Sequence, residues 1–282
     1  MTAAGALEGR VAIVTGGSRG IGKGIALELG AAGATVYVTG RSVSEADHPL
    51  PGTVGATAAE IDAIGGRGIG VAVDHRDDDA VAALFARVAE EQGRLDVLVN
   101  NAFIIPDELT SGLPFWDVPI SNWDDMIDVG TRSAYVASVL AARTMVPAGH
   151  GLIVNVSSSG AQEYAWHVAY GVGKCALDRL TADTAHELRP HGVHVVSLWP
   201  GFVRTERIEL AKQAGMLPPG LDLTGSESPR FCGRAVAGLA TDPGVARFTG
   251  TAVAARTLAD EYGFTDVDGT MPNGPMHDRS VD

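Results

Sequence analysis

The sequence predicts an α/β fold: a single doubly wound domain of about seven parallel strands with helices on both faces. Three observations predict it. Short apolar runs rich in β-branched residues alternate with helical patterns along most of the 282 residues. The runs are continuously apolar rather than alternating, as strands buried on both faces are. No composition break divides the chain, and α/β domains often exceed about 200 residues as one unit.

Taken in order, RVAIVTG (10–16) reads as the first strand and leads into a helix through Leu29. TVYVTG (35–40) and GIGVAVD (68–74) are the second and third strands, and DDDAVAALFARVAEEQG is a helix. LDVLVNNA (95–102) is the fourth strand. A helix over 121–147 follows, with Ser121 as its cap and Asp124 completing a pattern like a capping box. GLIVNVSS (151–158), a helix over 169–190, VHVVSLWP (193–200) and FTGTAVAA (248–255) supply the rest. The Gly/Pro-rich stretches 42–52 and 210–229 read as inserted loops, and the polar tail 270–282 as mobile.

The bulk properties exclude several function classes. A formal charge of −13 with no basic stripe argues against a nucleic-acid partner. The longest apolar run, AYVASVLAA, falls short of the ~20 residues of a spanning helix, so no membrane partner is expected. Cys175 and Cys232 form neither a disulfide framework nor a CxxC pattern, and no signal peptide precedes the first strand. A cytoplasmic protein is the simplest reading. His186, His191 and His194 straddle a helix end, a loop and a strand without zinc-site spacing, so no metal is expected.

Glycines 16, 20 and 22 fall where the first strand turns into a helix, in TGGSRGIG. Such a turn brings backbone N–H groups and a helix N-terminus to a pyrophosphate. The spacing is GxxxGxG. Arg19 lies inside this loop and Arg41 ends the second strand, where a carboxylate would select a free ribose 2′-hydroxyl. Two arginines and no acid favour NADP(H), with NAD(H) possible.

Tyr170 and Lys174, in YGVGK, lie four residues apart on one helix face. An ammonium beside a phenol favours the phenolate. SSS (157–159) ends the fifth strand, and ligands of open α/β sheets bind beyond such ends. A serine there can reach the carbonyl oxygen that Tyr170 protonates.

TGGSRGIG, NNA (100–102), NVSS (155–158), YGVGK (170–174) and PGFVRT (200–205) stand in order over roughly residues 8–256. This set resembles the short-chain dehydrogenase/reductase family. RSAY, AHELRPHGV, VSLWPG, LATDP and YGFTDVDG resemble one subgroup of it, whose mammalian member continues into an apolar C-terminal segment that this chain lacks. The resemblance implies an NADP(H)-binding catalytic domain over 8–256 and a C-terminal extension over 257–282. It implies hydride transfer between the cofactor and a carbonyl or alcohol, and a homodimer or homotetramer through the 121–147 and 169–190 helices.

By the same resemblance Tyr170 is the general acid/base, and Lys174 lowers its pKa and holds the nicotinamide ribose. The carbonyl-orienting serine is Ser158 by its place in the motif, or Ser157 by the family's usual gap to the tyrosine. Gly16, Ser18, Arg19, Gly20, Ile21, Gly22, Arg41, Asp74, Asn101, Ala102, Pro200, Gly201, Val203 and Thr205, with Tyr170 and Lys174, are the implied cofactor contacts. Asp74 would meet the adenine amino group, Asn101 the sheet and the adenine side, and Val203 and Thr205 the carboxamide and phosphates.

Two further expectations concern the substrate and the rate. Phe103, Phe115, Trp116, Tyr164, Trp166 and Phe202 follow strand ends or fill adjacent loops, which fits either a pocket for an apolar or aromatic carbonyl compound or simple loop packing. Gly130 stands where the family has asparagine, DVG for DVN, and glycine inside a helix costs about 1 kcal/mol relative to alanine. That asparagine keeps a helix kink and places a relay water in the family. Gly130 is expected to leave room for an extra water; an NADPH-binding sensor or scaffold with weak catalysis is the alternative.

Overall fold

The computed structural model describes residues 2–217 and 223–274. Its strands are β1 (Val11–Thr15), β2 (Thr35–Gly40), β3 (Arg67–Ala72), β4 (Val97–Asn100), β5 (Gly151–Val156), β6 (Val193–Trp199) and β7 (Ala252–Ala254). They form one parallel seven-stranded sheet in the order β3-β2-β1-β4-β5-β6-β7, with helices around it. All seven strands fall within the apolar runs, to within a residue at their starts. β1 and β4 are buried at every residue, which is why they read as unbroken apolar runs.

The contacts group into two compact units. The first takes residues 2–72, 200–217, 223–243 and 254–274. It holds α1 (Gly20–Ala31), α2 (Val54–Ala63), and three helices from further along the chain, Glu206–Gln213, Pro229–Thr241 and Ala255–Tyr262. Backbones approach closely here. A Cβ on Gly24 would lie 2.1 Å from the Pro229 carbonyl oxygen, so only glycine lets helix 229–241 cross α1 at that point. Arg230 pairs with Glu28 of α1 at 2.7 Å on the same contact. Edge strand β3 carries Gly68 for a similar reason: a Cβ would meet the Ala58 carbonyl oxygen of α2 at 2.2 Å.

The second unit takes residues 73–199 and 244–253. It holds α3 (Asp78–Gln92), α4 (Ser121–Asp124), α5 (Ser133–Ala148) and α6 (Val168–Leu188). Asp77 caps α3 by accepting from the Asp79 and Ala80 N–H groups, as the acidic run suggests. Asn100 ties β4 to its surroundings: its side-chain amide donates to Asn155 Oδ1 at 2.8 Å and to Ser138 Oγ at 3.0 Å. Asn155 in turn donates to Thr181 of α6 at 2.9 Å.

The helices past the phosphate loop depart further from the sequence reading. α2 lies in a stretch assigned no element, although Thr53 accepts from the Ala56 N–H as a recognisable cap. From here the three later helices are α7 (Glu206–Gln213), α8 (Pro229–Thr241) and α9 (Ala255–Tyr262). α7 covers the start of the expected 210–229 loop. α9 runs across residue 256, and beyond it Phe264 packs on Phe231 at 5.2 Å while Asp266 accepts from the Ser228 N–H at 2.7 Å. Residues 257–274 therefore belong to the first unit, held by these two contacts. Of the tail, 275–282 lie outside the described residues.

The 121–147 helix runs unbroken over 121–148, but its winding changes. Residues Asp125–Arg132, with Gly130 inside, are wound as a π-helix between α4 and α5. Such insertions are rare and occur often at functional sites. Ser121 is not the cap: Ile120 precedes α4 in helical geometry, and no side chain caps this end. Among the described residues no helix is long and apolar enough to cross a membrane.

Candidate active site

In the first unit the turn after β1 is built as a backbone anion seat. Gly16 (φ 65°) and Gly20 (φ 55°) have left-handed backbones that favour glycine. α1 starts at Gly20 with Arg19 as its cap residue and no capping side chain. The Gly20 N–H instead donates to the Glu206 carboxylate at 2.8 Å. A carboxylate is thus already seated where a helix N-terminus favours negative charge. Ser18 is buried beneath this turn, and Ile21 and Gly22 form the first turn of α1.

Arg19 reaches across to the loop after β2. Its guanidinium donates to Ser42 Oγ at 2.9 Å and to the Gly52 carbonyl at 2.8 Å. Burial is the main cause that lowers its pKa, and Arg41 lowers it further. His48 registers the same positive field: burial first, then Arg19, Arg207 and Arg41, hold its pKa down. Arg207 therefore joins the two arginines read from the sequence. It lies on α7, far along the chain, and no local pattern marks it.

The 200–205 segment is pinned by Glu227. The Gly201 N–H donates to Glu227 Oε1 at 2.8 Å, and Val203 bridges Glu227 in parallel fashion. A Cβ on Gly201 would meet that oxygen at 2.6 Å. Burial pushes the Glu227 carboxyl up to about 7. Pro200 is buried, and Thr205 precedes α7 as its cap residue.

In the second unit the serine, tyrosine and lysine come together. Tyr170 and Lys174 lie on α6, whose start is capped by His167 accepting from the Ala169 N–H. The Tyr170 hydroxyl donates to Ser158 Oγ at 2.9 Å. The Gly160 N–H also donates to Ser158 Oγ, at 3.1 Å. Ser157 is turned away: only 3% exposed, it donates to the Lys174 backbone carbonyl at 3.1 Å. The geometry thus separates the two serines that spacing leaves open.

The segment between Ser158 and Tyr170, twelve positions apart, closes through a strained turn. Trp166 has φ 60°, unusual for a bulky residue, and the His167 N–H donates to the Ala165 carbonyl at 2.6 Å. This is a γ-turn of the rare positive-φ kind. Gly160 relieves the other end, because a Cβ there would lie 2.8 Å from Tyr170 Cε1.

Lys174 is buried, and its ammonium donates to the Val156 carbonyl at 3.0 Å. Burial brings its pKa down to about 8, with Asp178 acting against that. Tyr170 differs from expectation. Its pKa is raised by burial, with the Ser158 hydrogen bond opposing. The ammonium lies 5.6 Å from the Tyr170 ring centre and faces the Phe103 ring at 4.6 Å.

Other expected residues take simpler places. Asp74 follows β3 and accepts from the Arg76 N–H at 3.0 Å. Asn101 and Ala102 are half-buried after β4, next to Asn100, which bonds Asn155. Phe115, Trp116, Tyr164 and Trp166 are exposed, whereas Phe103 turns inward against Tyr170. Among the described residues no three His, Cys, Asp or Glu side chains group as a metal site.

A glycine turn opening a helix from β1 and a Ser-Tyr-Lys set just after β5 and on α6 define a class. Residues 10–214 match the short chain dehydrogenase family, and the chain belongs to it. Its members are oxidoreductases that act on CH–OH or C=O groups and bind nicotinamide cofactors. The chain is 48% identical over 273 residues to the mouse protein "Dehydrogenase/reductase SDR family member 1", covering 93% of this chain and 85% of that one. It is 46% identical to the human protein of the same name, with the same coverage. A metagenomic short-chain oxidoreductase solved in complex with NADP superposes with a TM-score of 0.69 at 33% identity, covering 88% of this chain and 97% of that one.

Proposed function

We propose that this oxidoreductase is an NADP(H)-dependent carbonyl reductase or alcohol dehydrogenase, with Tyr170 as its general acid/base. The observation that carries the reading is the 2.9 Å hydrogen bond from the Tyr170 hydroxyl to Ser158. It aims a proton donor and a second hydroxyl at one place, where a carbonyl oxygen would be both polarised and protonated.

The first unit's residues fit a phosphorylated dinucleotide. Glu206 on the Gly20 N–H marks the α1 N-terminus as an anion seat, which supports a diphosphate on Gly16, Gly20, Ile21 and Gly22. Arg19, Arg41 and Arg207 form a positive cluster suited to a ribose 2′-phosphate, so NADP(H) is favoured over NAD(H). Val203 and Thr205 would complete the first unit's contacts, and the resemblance adds Asp74, Asn101 and Ala102. The bound cofactor would supply or accept the hydride.

The chain's own groups do the rest. Ser158 holds the carbonyl oxygen and stabilises its developing charge. Tyr170 delivers the proton on reduction and removes it on oxidation. Lys174, with its ammonium beside the Val156 carbonyl, would hold the ribose hydroxyls and supply positive charge near the phenol. The exposed aromatic side chains at 115, 116, 164 and 166 suit an apolar or aromatic substrate. Exposed Tyr135 and Val172, on α5 and α6, suit a homodimer or homotetramer in the cytoplasm.

The test is NADPH oxidation and NADP⁺ reduction over a panel of aromatic and aliphatic carbonyls and alcohols. The Tyr170→Phe variant should lose about 10²–10⁴-fold in kcat while still binding NADPH. Tight NADPH binding with no turnover on any compound would favour the sensor reading.

A further inference from the structure

The space opened by Gly130 is already filled. A Cβ at residue 130 would lie 2.8 Å from Phe103 Cδ2 and 3.0 Å from Cε2. The extra room expected for a water is instead taken by an aromatic ring. That ring makes two other contacts. The Lys174 ammonium lies 4.6 Å from its centre, inside cation–π range. The Tyr170 ring meets it edge to face, with centres 5.9 Å apart. Phe103 and Tyr170 also pack against Leu109, Met126 and Ala169.

We infer that Phe103 is a positioning residue for Tyr170 and Lys174, and that residue 130 must be glycine to admit its ring. This deepens the proposed function and rests on it. The π-helical winding of Asp125–Arg132 brings the Gly130 backbone to the ring, and a side chain there would push Phe103 off the ammonium. Glycine and phenylalanine are then one coupled device, so the missing asparagine is not an isolated loss. The groups acting on the ammonium are few. Asp178 on α6 is the charged one, Tyr170 is the titratable neighbour, and β5 presents the Val156 carbonyl. From the π-helix, the Thr131 hydroxyl goes to the Gly173 carbonyl instead.

The coupling is tested on stability and on rate. In melting experiments, Gly130→Ala should lower Tm in the wild-type background and leave it nearly unchanged in a Phe103→Ala background. With NADPH and a reducible carbonyl, Gly130→Asn should lose about ten- to a hundredfold in kcat through misplacement of the reacting groups. The Phe103→Ala/Gly130→Asn double variant should lose no more than Phe103→Ala alone, because the ring that Gly130 admits is already gone. Phe103→Leu removes the ring face without opening the site. It should move the alkaline limb of kcat/KM down by about one pH unit, while Phe103→Tyr keeps it.

An equal Tm loss for Gly130→Ala in both backgrounds would overturn the inference. So would a Phe103→Leu pH profile that superposes on wild type. If no carbonyl is turned over, the proposed function fails, and the melting cycle still decides whether the pair is coupled. If turnover is intact and the cycle shows no coupling, the inference alone falls.

Discussion

Two pairs of glycines, one pair in each compact unit, show two kinds of close approach. At Gly24 and Gly68 of the first unit backbone meets backbone, under the Pro229 and Ala58 carbonyls. At Gly160 and Gly130 of the second a side chain comes close, the Tyr170 ring and the Phe103 ring. Main-chain atoms in packed helices cannot retreat, whereas a ring can rotate at a cost in alignment. The first arrangement is therefore brittle toward folding, and the second is sensitive in rate. The charges divide likewise, with an arginine cluster in the first unit and a buried ammonium beside a phenol in the second.

The largest expected effect tests the brittle side. Gly24→Ala should destabilise the protein by about 3 kcal/mol or more, measured by urea unfolding, because overpacking against backbone adds to any helix-propensity gain. A change under about 1 kcal/mol would show that α1 and α8 can slide apart, and the contrast between the units would lose its basis. Next in size is the cofactor preference. Arg41→Ala should weaken NADPH binding about tenfold, through loss of one charge-assisted contact, and leave NADH binding unchanged. Equal weakening of both would place Arg41 away from the 2′-phosphate.

Two pH windows of opposite sign separate the units further. Burial holds His75 of the second unit down to about 4, so the unfolded chain takes up its proton first, and stability falls as pH drops from 6.5 toward 4. Glu227 of the first unit is raised to about 7 from 4.5, so its contribution is full below 4.5 and is lost as pH rises through 7. His75→Phe should flatten the acid side of a Tm-against-pH curve, and Glu227→Gln the side from 4.5 to 7. A curve unchanged by either substitution would remove that group from the account.

What was legible in the sequence follows the same division. The strands, the glycine turn, Arg19, Arg41, Tyr170 and Lys174 announce themselves because each is set by a local pattern. The apolar runs are unbroken because their strands are buried, and the Tyr-Lys spacing is one helical turn. Residues that act across the chain leave no such mark. Glu206 meets Gly20 and Arg207 joins Arg41 only once α7 has been placed within the first unit. Spacing cannot reveal that the Tyr170 hydroxyl meets Ser158 while Ser157 bonds the Lys174 carbonyl. Gly130 was visible as a departure from pattern, but its reason was not. The π-helical winding and the ring of Phe103 are tertiary facts, and Phe103 alone reads as another loop aromatic.

The central claim is that Tyr170 works with Ser158. The most direct measurement compares kcat of Ser158→Ala and Ser157→Ala with wild type, using NADPH and a carbonyl substrate that the wild type reduces. Ser158→Ala should lose about 10²–10³-fold, the cost of removing one donor to the developing oxyanion. Ser157→Ala should keep most of the rate, because its hydroxyl is spent on the Lys174 carbonyl. The reverse order, with Ser157→Ala inactive and Ser158→Ala near wild type, would contradict the account.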